Sequence, residues 1–394
     1  MKAFRKLSIS ILSVFILGGC WDRVQINDLA LITALAIDQA EDNLIQVTVQ
    51  IVIPKNHGGG GQGTGGGNGS NKTTIRSEKG FDISEALSKL QGQIPRRLFW
   101  GQCKIFIFGE TFAKAGIKEQ FDFLVRHPQT RERAYMFVSK GKAKEALELF
   151  PPIEGTSADV LNKLSDLQFG MRVTMEQLSI MLKGDAQAAA LPIIHILPKA
   201  ESAESNQTIP YLLGTAVFKK DKMVGDLSEK VTRDLSWLKS GTKEGTAYFK
   251  VTDNGGSVSL KPVKTHVKLI PKIEGDTWKM YIKVRSEGDI IVQNTTLLNP
   301  VNPDLIAIMD KAFENDIRKR MQAALQEIQK RWKTDILDFS KTFHRKYPEQ
   351  WEKVKDHWEE VFPKIEIHTE IEARILRQGR INSPGGIPKE ETRQ

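Results

Sequence analysis

An α+β fold with mostly antiparallel sheets is predicted for this 394-residue chain. Three observations carry the prediction. Several segments alternate apolar and polar residues with period two, the mark of half-buried strands. Helical patterns fall between them without the strand–helix–strand rhythm of a parallel α/β sheet. One stretch, 299–339, keeps a single apolar helical stripe, which suits a long helix lying on a sheet in the C-terminal part. The length exceeds what one core ordinarily organises. Three mixed domains are expected, over 20–200, 201–260 and 261–394, preceded by a separate segment 1–19.

That first segment has the layout of a secretory signal. Lys2, Arg5 and Lys6 give it a positive start, and Leu7 to Leu17 is an eleven-residue apolar run. About 20 apolar residues are needed to cross a bilayer as a helix, so the run is too short to span. Leu17-Gly18-Gly19-Cys20 resembles a bacterial lipobox, in which the Cys thiol takes a diacylglyceryl group and the chain is cut just before it. The alternative is an ordinary signal peptide with an incidental cysteine. Two acyl chains, at about 0.8 kcal/mol per buried methylene, would make Cys20 a lasting anchor. Of the two cysteines, Cys103 is then left without an intramolecular partner. It sits in the apolar run "GQCKIFIFG" and reads as a buried, inert thiol.

The remaining elements follow in order. "LALITALAID" (29–38) and "NLIQVTVQIVIP" (43–54) read as strands around an acidic turn. The Gly-rich stretch 56–74 reads as a flexible loop. Its end, "GGNGSNKT", misses the phosphate-loop pattern because Asn71 stands where glycine is required, and "TTIRSEKG" after it looks extended rather than helical. Helices are expected at 82–93, 115–128, 142–152, 157–168 and 174–184, with strands around 95–109, 131–141 and 189–200. The polar run "ESAESNQT" (201–208) is taken as a linker. A hairpin turning at Lys220-Asp221-Lys222, a helix at 228–241, a turn at Asn254-Gly255 and strand at 277–292 come next. The long helix is capped by Asn302 with Pro303 in its first turn. Its stripe is Leu305, Met309, Phe313, Ile317, Met321, Leu325, Ile328, Trp332 and Ile336. A helix at 348–363 and an alternating strand at 364–375 end the pattern.

Net charge is +9, and the first 19 residues supply three of the positive charges, leaving about +6 for the rest. A mildly basic body suits an anionic membrane surface. No nucleic-acid-binding motif is present, so nucleic acid is not expected as a partner. The seven histidines are scattered, with no H-E-x-x-H and no C-x-x-C. No G-x-S-x-G or S-x-x-K arrangement with partner motifs occurs. No catalytic residue, metal site or cofactor is therefore expected, and a binding or structural role is favoured over an enzyme.

"GCWDRVQINDLALITALAIDQ" resembles the start of the Ger(x)C family, the lipoprotein C subunits of spore germinant receptors. Trp21, Asp22, Ile26, Asn27, Asp28, Ile37 and Asp38 match the family pattern, while Gln25 replaces its usual Glu and Ala36 its usual Gly. "PRRLFWGQCKIFIFGE" (95–110) is similar to another family block, with Trp100 and Gln102 as variants. "RERAYMFVSKGKAKEAL", "GTAVFKKDKMVGDLS" and "HRKYPEQW" also look familial. The resemblance implies three α+β domains, a polytopic A subunit and a transporter-like B subunit as partners, and attachment to the spore inner membrane on its outer face. It implies an assembly responding to small nutrients, with no catalysis by this subunit; whether this chain binds a small molecule directly stays open. Trp21, Asp22, Asn27 and Asp28, close to the anchor at Cys20, are the candidate interaction residues. Two other readings are a solute-binding lipoprotein acting alone and an anchored cell-wall hydrolase.

Overall fold

The computed structural model describes residues 25–52, 73–167, 170–240, 247–251, 257–294 and 303–377. Two sheets organise them. The first follows the order β3-β2-β1-β5-β6-β7-β8-β9, with β4 beside the start of β1. Its strands are β1 (Leu29–Gln39), β2 (Ile45–Val52), β3 (Thr73–Gly80), β4 (Arg97–Phe99), β5 (Ile105–Gly109), β6 (Tyr135–Ser139), β7 (Ala188–Ile196), β8 (Pro210–Lys219) and β9 (Lys222–Leu227). The second sheet has the order β10 (Ala247–Lys250), β11 (Ser257–Glu274), β12 (Thr277–Asn294) and β13 (Glu366–Arg377). Six of the described ladders are antiparallel and five parallel.

Two of the parallel pairs join β4 to β1 and β13 to β12; the other three sit at the centre of the first sheet, where β1, β5, β6 and β7 run side by side. Their composition explains this. "IFIFG" and "YMFVS" are buried at every position, as strands covered on both faces must be. On one face lie α1 (Ile83–Gln93), α2 (Glu110–Ala115), α3 (Lys118–Arg126) and α6 (Met175–Lys183). The other is covered in part by α4 (Ala143–Leu147) and α5 (Ser157–Asp166). A register shift between Ile32 and Ala34 flips the alternation of β1. Ala30, Ile32, Leu35 and Ile37 therefore share one face, although their spacing changes from even to odd.

In the second sheet β11 and β12, each of 18 residues, form a long hairpin turning at Gly275, whose φ of 58° is left-handed. Helix α8 (Pro303–Leu325) lies against this sheet with Met309, Phe313, Ile317 and Met321 buried. The long stripe does not continue as one helix to 339. After Leu325 the chain runs through a π-helical turn, Gln326–Arg331, and leaves the helix at Lys333, whose φ is 51°. The turn points Gln329 inward, where Nε2 donates to the carbonyls of Phe362 and Ile365 at 3.0 and 2.8 Å. Ile336 is buried beyond the helix. The segment expected as one helix over 348–363 is split into α10 (Pro348–Glu352), α11 (Trp358–Val361) and two short 3-10 turns, after α9 (Phe339–Lys346). The Asn302 cap, the Asn254-Gly255 turn and most of the Gly-rich stretch lie outside the described residues.

The segment 201–260 does not form a sheet of its own. Strands β8 and β9 complete the first sheet, and β10 opens the second. Helix α7 (Glu229–Ser240) bridges them, with Thr232 Oγ1 donating to Thr215 Oγ1 at 2.9 Å. One apolar cluster joins Ala190, Val217 and Leu227 of the first sheet to Leu235, Phe313 and Ile336 of the second half. Residues 201–208 are thus the loop of the β7–β8 hairpin rather than a break between packed bodies. Among the described residues no helix is long and apolar enough to cross a membrane.

Candidate functional site

The chain enters the first sheet through a single 3-10 turn, Ile26–Asp28, closed by the amide of Asp28 donating to the carbonyl of Gln25 at 3.0 Å. Strand β1 begins at once, and four strand ends meet there. Leu29 pairs with Arg97 at the start of β4. Val52, the end of β2, lies opposite Thr73, the start of β3.

The turn faces the "PRRLF" block. Gln91 of α1 fixes that block with its side-chain amide. Its Nε2 donates to the Arg96 carbonyl at 2.9 Å, and its Oε1 accepts from the Leu98 amide at 3.0 Å. Between the turn and the block lies an open groove of about 400 Å³, lined by Asn27, Asp28, Gln91, Ile94, Arg96 and Arg97. A smaller, more enclosed depression beside it is floored by Leu29, Ala30 and Ile51 and edged by Arg76. The Arg76 guanidinium donates to Thr74 Oγ1 and to the Ile75 carbonyl. Asn27, Asp28 and Arg97 are exposed, and Ile26 is 65% exposed. Three guanidinium groups against one carboxylate make this end of the sheet a basic, polar surface with an apolar floor.

Of the expected interaction residues, Asn27 and Asp28 line this groove. Cys20, Trp21 and Asp22 lie outside the described residues. Arg96 and Arg97 were absent from the expected set. Their adjacency after Pro95 was the available signal, but only the parallel pairing of β4 with β1, which sets Arg97 opposite Leu29, brings them to the groove beside Asp28.

Other motif residues have structural work. Asp38, at the far end of β1, accepts from the amides of Ala143 and Lys144 at 2.7 and 2.9 Å and so holds the start of α4. Burial pushes its carboxyl pKa up, against those two bonds. Gly109 must stay small there, since a Cβ would fall on the Asp38 carboxylate. Gly101 is covered by the ring of Phe99 in the same way. Cys103 is fully buried, and burial pushes its thiol up to about 12, which makes it a poor nucleophile. Among the described residues no three His, Cys, Asp or Glu side chains gather where they could hold a metal ion.

Two family models cover most of the chain and meet across the β7–β8 loop. Residues 22–196 match the spore germination protein N-terminal domain. Residues 213–379 match the "Spore germination B3/GerAC like, C-terminal" domain. Spore germination protein KC of Bacillus subtilis is 31% identical over 397 residues, covering 95% of this chain and 96% of that one. Spore germination protein B3 of the same organism is 24% identical, covering 97% and 100%. The crystal structure of the GerBC protein superposes with a TM-score of 0.57 at 19% identity, over 87% of this chain and 96% of that one, and shares its fold. With both domain models in order along the chain and a relative matched nearly end to end, the chain belongs to the Ger(x)C family of spore germination proteins.

Proposed function

We propose that the chain is the lipid-anchored C subunit of a nutrient germinant receptor, acting in spore germination beside polytopic A and B subunits. It sits on the outer face of the spore inner membrane and is not an enzyme. Family membership supports the role in germination, as do relatives named as spore germination proteins along their whole length. The anchor rests on the register of Leu7–Leu17, Gly19 and Cys20.

The observation that carries the reading is the groove at the entry of the first sheet. Gln25 lies five residue steps from Cys20, and an extended residue spans at most about 3.6 Å, so the tether reaches no further than about 18 Å. Asn27, Asp28, Arg96 and Arg97 are therefore held close to the headgroups and to any polytopic neighbour. The basic rim suits anionic headgroups, and the groove suits a partner segment carrying complementary groups.

Metabolic labelling with a fatty-acid probe tests the anchor. Cys20→Ala should lose the label and remain uncleaved; equal labelling of the variant would sink this part. A photo-crosslinker placed at Asn27 or Arg97 tests the surface in spores. Adducts with a polytopic membrane protein are expected, and adducts with lipid alone would remove the partner-binding role.

A further inference from the structure

A second cavity, of about 550 Å³, opens between the two halves of the molecule. The volume lies within the range of small-molecule sites. Its apolar wall is Met171, Ile180 and Met181, from α6 and the loop before it. The facing wall is Lys239, at the end of α7, with Asp338 and Lys341 at the start of α9. Neither wall is a site by itself, and the packing of α7 and α9 against the first sheet creates the cleft.

The chemistry of the walls selects a ligand. Ile180 projects into solvent and is 57% exposed, an arrangement that leaves apolar area to be covered. The Lys239 ammonium is positioned rather than free. It donates to the Ile336 carbonyl at 3.1 Å and lies 3.7 Å from Met181 Sδ, which sets a cation at the edge of the apolar wall. Two other charges of the rim are already engaged. Asp185 is 2.9 Å from His344 Nδ1, and Arg172 lies over the Tyr135 ring and 3.9 Å from Asp166. Two lysines and one aspartate remain to face an occupant, so the balance favours an anion.

We propose that this cleft binds a small molecule with an apolar body and a single carboxylate. The body lies on Met171, Ile180 and Met181, and the carboxylate meets the ammonium groups of Lys239 and Lys341. Such a ligand touches both halves, so its binding stabilises their junction by mass action. The proposal needs neither the anchor nor the groove at the sheet entry, so it stands or falls apart from the receptor reading.

Hexanoate and its neutral isostere hexanamide test it, using the purified full chain in detergent with thermal unfolding and ligand-observed NMR as readouts. Hexanoate should raise the unfolding midpoint in a saturable way and bind at least tenfold more tightly than hexanamide. Lys239→Met and Lys341→Met should each weaken hexanoate about tenfold and leave hexanamide unchanged. Ile180→Trp, at an exposed position, should block binding while the ligand-free midpoint holds. Equal affinity for acid and amide, no saturable shift, or unchanged binding in Ile180→Trp would overturn the proposal.

Discussion

Replacing Asp335 with alanine should cost the C-terminal half about 3–5 kcal/mol, a figure that follows from what its carboxylate holds. Asp335 is 3% exposed. Its Oδ1 accepts from the Phe339 amide at 3.0 Å, and its Oδ2 from the Ser340 amide at 2.7 Å and the Trp358 indole at 3.1 Å. The two amides belong to the first turn of α9 and have no acceptor within their own helix. Alanine would strand three donors, each worth about 1–3 kcal/mol when buried without a partner. With one water admitted to the vacated space two stranded donors remain, about 2–6 kcal/mol, and the stated figure is the middle of that span. Trp358 packs on Trp351, with ring centroids 5.0 Å apart, and on Trp278 at 5.8 Å, so tryptophan fluorescence in a urea titration follows the event directly. A loss under about 1 kcal/mol would refute the assignment. The pH dependence supplies a second check. Burial raises the carboxyl pKa above its ordinary 3.8, so the folded state keeps its proton to higher pH than the unfolded chain. That contribution is complete below the unfolded value and is lost as the pH rises through the folded one. The gap between wild type and Asp335→Ala should therefore narrow from acidic toward neutral pH, and a widening gap would contradict the raised pKa.

Three further outcomes are expected. Gly225→Ala places a Cβ within 1.9 Å of Trp332 Cη2, so it should destabilise the junction of β9 with the π-helical turn by about 1–3 kcal/mol. Differential scanning calorimetry measures this, and Trp332→Leu in the same chain should recover much of the loss. Replacing Gly58 to Gly69 by a short Gly-Ser linker should leave the thermal midpoint unchanged, because loop length adds only about 0.6 kcal/mol per doubling; a large drop would mean that the loop packs or binds something. Trp21→Ala and Asp28→Ala should weaken the germination response at limiting nutrient, or the retention of other receptor subunits, while circular dichroism of the purified variants stays native. Wild-type response in both would reduce the segment to a slack tether.

The local elements were legible in the sequence because their causes are local. Asp82 caps α1 by accepting from the Glu85 amide at 2.8 Å. Thr174 and Gln177 form a reciprocal capping box at the start of α6. Lys220, at φ 55°, turns the β8–β9 hairpin where the charged run announced it. Periodicity also found the buried stripe of α8, since one face of a helix reports its own burial whatever covers it. What covers it was not legible. The long stripe reads as one helix to 339, yet the π-helical turn interrupts it so that Gln329 reaches the carbonyls of Phe362 and Ile365, more than 30 residues away. The linker-like composition of 201–208 is equally real, and the two family models meet across it, but polarity marks exposure and does not say that β8 returns to pair with β7.

The groove and the cleft belong to the same class of invisible feature. Each sets residues distant in sequence against one another: Asp28 against Arg96 and Arg97 in the first, Met181 against Lys239 and Lys341 in the second. Alternation and capping carry no information on such pairings, which follow from strand order and from the face on which the second half docks. The shared core that includes Val217, Leu235 and Phe313 has a mechanical consequence. A ligand in the proposed cleft between α6 and α9 would act on side chains packed directly against the first sheet, whose strand β1 begins at the groove. Occupancy of the proposed cleft and contact at the proposed groove would thus bear on one shared apolar core.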